Sequence, residues 1–98
     1  MIVYRAMSEL EYQKTLSSRE ADFTLSRFKW FSPCIGFVLG RVCDGSFNNS
    51  KFKSDRYTRI VSFEFDDKYL EKVDYVSQRE IQIDRRRNIP IKLVDTLR

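Results

Sequence analysis

The sequence contains no histidine, and only three glycines, two prolines and two cysteines occur among its 98 residues. The lack of histidine removes the commonest general base near neutral pH and excludes nucleophiles that a histidine activates. It also argues against a zinc site, because imidazole is one of the usual zinc ligands. Any chemistry of this chain must therefore use carboxylates, amides, hydroxyls and arginines.

Two further absences bear on where the protein works. Residues 1–4 lack the basic and apolar regions of a secretory signal peptide, and no stretch approaches the roughly 20 apolar residues that span a bilayer. Cys34 and Cys43 alone make a weak case for a disulfide scaffold. These features predict a cytoplasmic protein with reduced thiols and no membrane partner. If a phage encodes the chain, the predicted compartment is the cytoplasm of the host cell.

The composition indicates one small folded domain over residues 1–98. Hydrophobic residues make up 42% of the chain, including eight Phe, five Tyr and one Trp, which is enough for a core. The net charge of +4 has two explanations, an ordinary solvated basic surface or an anionic partner such as nucleic acid, a dinucleotide or an acidic protein. Charge alone favours the solvated surface.

Hydrophobic periodicity and capping signals predict an α+β fold, with an antiparallel or mixed sheet and two or three helices. Ser8 and Glu11 form a capping box, and Ser32-Pro33 is typical of an N-cap followed by the first helical residue. Asp66-Asp67 can cap a further short helix. Ile35, Val38, Leu39 and Val42 form the apolar stripe of the second helix. The predicted strands cover residues 2–7, 23–26, 28–31, 58–65, 77–83 and 89–93, and the predicted helices cover residues 9–16, 33–43 and 68–72.

The longest polar stretch, residues 45–57, is predicted to be a loop. Loops of this length in compact domains are often functional, but aromatic residues spaced through this one could equally pin it to the domain. Its basic residues, and those of a second basic run near the end of the chain, are candidates for contacting a partner: Lys51, Lys53, Arg56, Arg85, Arg86 and Arg87.

One motif carries candidate chemistry. Gln78 and Glu80 lie two residues apart in a predicted strand, so an amide and a carboxylate would point from the same face. Far upstream, Arg5 lies on the first predicted strand and Ser32 opens a predicted helix. The chain order is therefore arginine, serine, then glutamine-x-glutamate.

This order resembles that of the arginine-serine-glutamate branch of the ADP-ribosyltransferase superfamily. The resemblance spans residues 2–93 but depends on three short motifs. It departs from the family in its short length and in having Ser32 alone where Ser-Thr-Ser is common. The matching segments are Val3-Tyr4-Arg5-Ala6-Met7, Trp30-Phe31-Ser32-Pro33 and Gln78-Arg79-Glu80-Ile81-Gln82-Ile83.

The resemblance implies an NAD-dependent mono-ADP-ribosyltransferase that modifies a macromolecular acceptor, either a protein or a nucleic acid. Glu80 would stabilise the positive charge that develops on the ribose as nicotinamide leaves. Arg5 would clamp phosphate and ribose oxygens of NAD, and Ser32 would orient the glutamate or the ribose. Gln78 would face the acceptor, and a glutamine there points away from arginine as the acceptor.

A second interpretation is a small basic binding protein on the same fold that performs no catalysis. Phage-encoded inhibitors of host nucleic-acid-targeting defence complexes are similar in size and composition. Each motif residue also has an ordinary explanation. Arg5 could be a salt-bridge partner, Ser32 only an N-cap and Glu80 a solvated strand residue.

Overall fold

The computed structural model of the chain describes residues 1–24, 26–43 and 57–98. These residues form an α+β fold, which confirms the predicted class. Within these described ranges, six strands are interspersed with two α-helices and two short 3-10 helices. In chain order the elements are β1 (Ile2–Met7), α1 (Glu9–Ser18), β2 (Phe28–Phe31), α2 (Ile35–Cys43), β3 (Arg59–Glu64), a 3-10 helix (Asp67–Lys72), β4 (Asp74–Ser77), β5 (Glu80–Asp84), a 3-10 helix (Arg85–Arg87) and β6 (Lys92–Thr96).

The strands form two antiparallel sheets of three strands each, ordered β1-β3-β6 and β2-β5-β4. A single isolated bridge between Tyr4 of β1 and Ser32, just after β2, joins the two sheets among the described residues. The Tyr4 N–H donates to the Ser32 carbonyl at 2.7 Å, and the Ser32 N–H donates to the Tyr4 carbonyl at 2.9 Å. This bridge fixes β1 beside β2, and so sets the position of the candidate site residues.

The main core fills the space on one face of both sheets. Strand alternation sends every second side chain of β1, β3 and β5 into it, and α1 adds Tyr12. A smaller cluster on the other face of β1 joins Ala6 to Ile60 of β3 and Val38 of α2. The strand β1 is therefore covered on both faces. The fully buried aliphatic and aromatic members of the main core include Val3, Met7, Val61, Phe63, Ile81 and Ile83.

The starts of α1 and of the first 3-10 helix follow their predicted caps. The Ser8 hydroxyl accepts a hydrogen bond from the Glu11 N–H at 3.3 Å, and α1 begins at Glu9. The Asp66 carboxylate accepts from the Lys68 N–H at 2.9 Å at the start of the first 3-10 helix. Both caps satisfy backbone donors that have no partner within the helix.

The second helix begins two residues later than predicted. Ser32 and Pro33 precede α2, which starts at Ile35, because the Ser32 backbone is used by the bridge to Tyr4. The predicted apolar stripe is buried only in part. Val38 is buried, but Ile35 and Leu39 are each 37% exposed.

Two strand predictions are also wrong. Residues 23, 24 and 26 are not in a strand. Phe23 packs against the main core instead, and Thr24 bonds to the Asp22 carboxylate. The last strand covers Lys92–Thr96, later than the predicted 89–93, because Ile89 and Ile91 are buried in the core before the strand begins.

Most of the predicted loop 45–57, with Lys51, Lys53 and Arg56, lies outside the described residues. Within the described parts of the chain, no helix is long and apolar enough to cross a membrane.

Candidate active site

A cleft of about 370 Å³ lies where β1, β2 and the start of β5 meet α2. Arg5, Ser32 and Glu80 all border it. The sequence separates these three residues by as many as 75 positions, and the fold brings them to one cavity. The rest of the lining is mostly apolar and aromatic, and comprises Tyr4, Ala6, Trp30, Phe31, Phe37, Val38 and Tyr57.

Ser32 and Glu80 share the cleft because of strand register. The pairing of β2 with β5 sets Phe31 opposite Ile81, so its continuation sets Ser32 beside Glu80. The bridge from Ser32 to Tyr4 extends the row to β1. Tyr4, Ser32 and Glu80 therefore lie in one row across three strands, on the face opposite the main core.

The Ser32 side chain is buried and used locally. Its hydroxyl accepts a hydrogen bond from the Cys34 N–H at 3.0 Å and donates to the Cys34 carbonyl at 3.1 Å. This turn, rather than an N-cap of α2, is the role that the structure shows. The hydroxyl's one proton is engaged, so Ser32 can offer a ligand only an oxygen lone pair unless the turn opens.

Glu80 is the first residue of β5 and is half-buried at the edge of the cleft. Ile81 and Ile83, its neighbours in alternation, enter the main core, which directs Glu80 to the opposite face. Among the described residues no hydrogen bond or ion pair engages its carboxylate. It is thus an unpaired carboxylate beside an apolar cavity.

The placement of Gln78 on the same strand as Glu80 is wrong. Gln78 and Arg79 form the two-residue turn between β4 and β5, and Ser77 pairs with Glu80 across it. Gln78 is exposed and does not border the cleft. The turn lacks the asparagine-glycine signal of a tight hairpin, and neither of its residues has positive φ. The register shift between Tyr75 and Ser77 accommodates it.

Arg5 borders the cleft, but its side chain extends toward the main core. Its Nε and Nη2 donate to the two oxygens of Glu11 at 2.6 and 2.9 Å, and Nη1 donates to the Trp30 carbonyl at 2.9 Å. The guanidinium carbon lies 5.9 Å from the centre of the Phe31 ring. Three of the five guanidinium N–H groups are therefore occupied. Arg5 and Glu80 leave their strands on opposite faces, so the two side chains do not share the single face from which both were expected to hold NAD. The role of Arg5 in holding NAD stays a prediction.

Sequence reasoning missed a buried ionic cluster behind the cleft. The Glu11 carboxylate, predicted only as part of a capping box, also accepts from Lys29 Nζ at 3.1 Å. Lys29 is 1% exposed and Glu11 is 8% exposed. With Arg5 they form a group of two cations and one anion. The only signal in the sequence is that Lys29 alternates with the aromatic residues Phe28 and Trp30 and so shares a strand face with Phe31.

The environment of this cluster shifts two pKa values. Burial alone would raise the pKa of the Glu11 carboxyl, but hydrogen bonds and charges from Arg5 and Lys29 hold it below its ordinary value. Burial is the main cause that lowers the pKa of the Lys29 ammonium, and the Arg5 charge adds to it. The charge of Glu11 opposes both effects on Lys29.

The basic run Arg85–Arg87 forms a one-turn 3-10 helix at the other end of β5 from Glu80. Asp84 caps it by accepting from the Arg86 N–H at 2.9 Å, and Asn88 ends it in the left-handed conformation with φ 53°. All three arginines are exposed, and none borders the cleft. In the part of the chain that the structure describes, no group of three potential ligands could hold a metal ion.

Comparison with known proteins adds no family to this geometry. No protein-family model matches the chain, and neither a curated protein nor a solved structure matches it significantly.

Proposed function

We propose that the protein is an NAD-dependent mono-ADP-ribosyltransferase whose NAD site is the cleft between β1, β2, β5 and α2. The observation that carries this proposal is the unpaired Glu80 carboxylate in one row with Ser32 on the wall of an aromatic cavity. The acceptor is a macromolecule, either a protein or a nucleic acid.

The chemistry of the reaction fits these groups. Cleavage of the bond between nicotinamide and ribose gives the ribose a positive, oxocarbenium-like character, and nicotinamide leaves as a neutral molecule. A carboxylate beside the ribose stabilises that charge, and the effect is greatest where water is excluded. Glu80 supplies the carboxylate. The rings of Trp30 and Phe37 offer apolar surface for the flat nicotinamide and limit the entry of water.

The charge behind the cleft supports an anionic ligand. The cluster of Arg5, Lys29 and Glu11 carries one excess positive charge where the low dielectric screens it little. The Arg5 guanidinium keeps two N–H groups beyond the three that Glu11 and Trp30 occupy. This field favours the diphosphate of NAD in the cavity without requiring Arg5 to leave Glu11.

Binding and turnover are tested separately. Trp30 is the only tryptophan and borders the cleft, so NAD binding should change its fluorescence. Turnover is measured as nicotinamide release and as transfer of labelled ADP-ribose to a host lysate. Glu80→Gln removes the charge but keeps the shape, so it should abolish turnover and leave the Trp30 response to NAD in place.

The matched control is Glu71→Gln, which removes the charge of an exposed glutamate in the first 3-10 helix. It should turn over NAD like the wild type. Equal turnover by Glu80→Gln and Glu71→Gln would remove Glu80 from the mechanism. If the wild type binds NAD but does not turn it over, the protein is a binding protein and the proposed transferase activity is refuted.

A further inference from the structure

The outward face of β2 exposes two aromatic side chains. Phe28 is 37% exposed and Trp30 is 46% exposed, while Lys29 and Phe31 between and after them are buried. Asp84 and Gln82 of β5 lie directly across from them. We call Phe28 and Trp30 the aromatic platform. Trp30 also borders the cleft, whereas Phe28 lies outside it.

A guanidinium group extends the Phe28 end of the platform. Arg27 lies over the Phe28 ring, with its guanidinium carbon 4.7 Å from the ring centre. A two-pronged contact with Asp84, at 3.1 and 2.9 Å, fixes the guanidinium in that position. Because both ring and guanidinium are planar, this end of the face presents flat groups on which another flat group can stack.

The same end carries a run of three exposed arginines. Arg85–Arg87 follows Asp84 directly, and the Arg85 N–H donates to the Arg27 carbonyl at 2.8 Å. None of these three arginines forms an ion pair with a described residue. Arg27 and these three arginines lie near the carboxylate of Asp84, and Arg85 also borders a second cleft together with Glu20. Glu80 lies at the other end of β5, about 13 Å away, and Asp74 pairs with Gln82 between the two ends.

We propose that this face binds single-stranded nucleic acid. Bases stack on Trp30 and on the layered Phe28 and Arg27 groups, and phosphates contact Arg85–Arg87. The arginines lie at the opposite end of β5 from Glu80, so the strand places its backbone at the Phe28 end and offers a base to the cleft. Every base has a flat face that such a platform can stack, and a phosphate chain complements the arginines.

An acidic protein would match the arginines but would leave the aromatic platform unused. The claim that this surface is the acceptor site of a transferase rests on the proposed function. The claim that the surface binds single-stranded nucleic acid is independent of that function.

The test measures fluorescence anisotropy of labelled 12-nucleotide single-stranded RNA and DNA, with no NAD present, at 50 and 200 mM salt. The wild type should bind at least one of them, and more weakly at the higher salt. Phe28→Ala should weaken binding by about ten- to a hundredfold, because one stacked base is lost. Arg85→Gln combined with Arg87→Gln should reduce the slope of log affinity against log salt by about 0.7 for each lost phosphate contact.

Matched controls use side chains away from this face. Tyr75→Ala removes an aromatic that is 63% exposed on the edge strand β4. Lys68→Gln combined with Lys72→Gln removes two charges from the first 3-10 helix. Both controls should bind like the wild type. Circular dichroism spectra check that every variant remains folded.

Several results would overturn the proposal. The first is that the wild type binds neither oligonucleotide at 50 mM salt. The second is that it binds polyglutamate or a blunt-ended duplex as tightly as the single strands. The third is that Phe28→Ala binds the oligonucleotides with the affinity of the wild type. Because Phe28 lies outside the cleft, Phe28→Ala should bind NAD like the wild type. Oligonucleotide binding without NAD turnover would refute the transferase proposal but support the nucleic-acid-binding surface. NAD turnover without oligonucleotide binding would refute only the proposed binding surface.

Discussion

The buried cluster of Arg5, Glu11 and Lys29 yields a prediction in which two substitutions at one contact have unequal effects. The Glu11 carboxylate lies between two cations, and the side chains of Arg5, Glu11 and Lys29 are 13, 10 and 2% exposed. Removing the carboxylate leaves two like charges in a poorly solvated space. Removing Lys29 leaves the two-pronged contact of Arg5 with Glu11 intact and electrically neutral.

The magnitudes follow from the cost of a buried charge without a partner. Breaking a buried ion pair by removing one member costs about 3–5 kcal/mol, so we expect Glu11→Gln to destabilise the fold by about that amount. A domain of this size has a total stability of about 5–15 kcal/mol, so the loss is a large fraction of it. Lys29→Met removes an ammonium that is costly to bury and keeps its apolar stem, so we expect a change within about 1 kcal/mol, of either sign.

Urea unfolding at pH 7, followed by circular dichroism and by Trp30 fluorescence, measures both values. With a slope of about 2 kcal/mol per molar urea, Glu11→Gln should lower the midpoint by about 2 M. Glu9→Gln is the matched control. It lies in the same turn of α1, but its contact with Arg59 is at the surface, so the midpoint should hardly move. Equal losses in Glu11→Gln and Lys29→Met would refute this reasoning, as would a Glu11→Gln midpoint close to that of Glu9→Gln.

Two further predictions concern acid and the guanidinium fork. The pKa of Glu11 is lowered in the fold, and hydrogen bonds from Arg27 and the Arg86 N–H lower that of Asp84 from 3.8 to about 2. The folded state therefore binds fewer protons, so stability is fully present above the ordinary pKa values and falls as the pH drops through the lowered ones. The free energy of unfolding should decrease below about pH 4.5, and it should decrease less steeply in Glu11→Gln. An NMR titration that gave Asp84 a midpoint near 3.8 would contradict the lowered pKa of that carboxyl. Arg5→Lys keeps the charge but loses the guanidinium fork that joins Glu11 to the Trp30 carbonyl. Both the urea midpoint and the NAD affinity, measured by Trp30 fluorescence, should therefore fall. Wild-type values for both quantities would contradict this prediction.

Features encoded by neighbouring residues could be predicted from the sequence. The cap of Ser8 on Glu11 and the cap of Asp66 on Lys68 each need only residues two or three positions apart, so a local pattern contains the whole interaction. The burial of Ile81 and Ile83 is likewise local, because the strand period alone sets the face.

Interactions between distant parts of the chain could not be predicted. The capping box identified Glu11, but nothing local indicates that its carboxylate reaches Lys29, which β2 brings from 18 positions away. The turn at Gln78 was missed for a different reason. A run of residues with the period of a strand does not show where the strand reverses unless glycine or asparagine marks the turn.

The relation of Arg5 to Glu80 shows what chain order leaves open. The order of the motif residues along the chain indicates which strand carries each of them. Strand pairing then brings β1, β2 and β5 side by side. The face from which each side chain leaves depends on register, and a shift of one residue reverses it. The bridge sets Tyr4, not Arg5, in the row with Ser32 and Glu80. In this fold Arg5 therefore reaches Glu11 behind the sheet. We expect any effect of Arg5 on a ligand in the cleft to act through the charge of the buried cluster and the position of the Trp30 backbone.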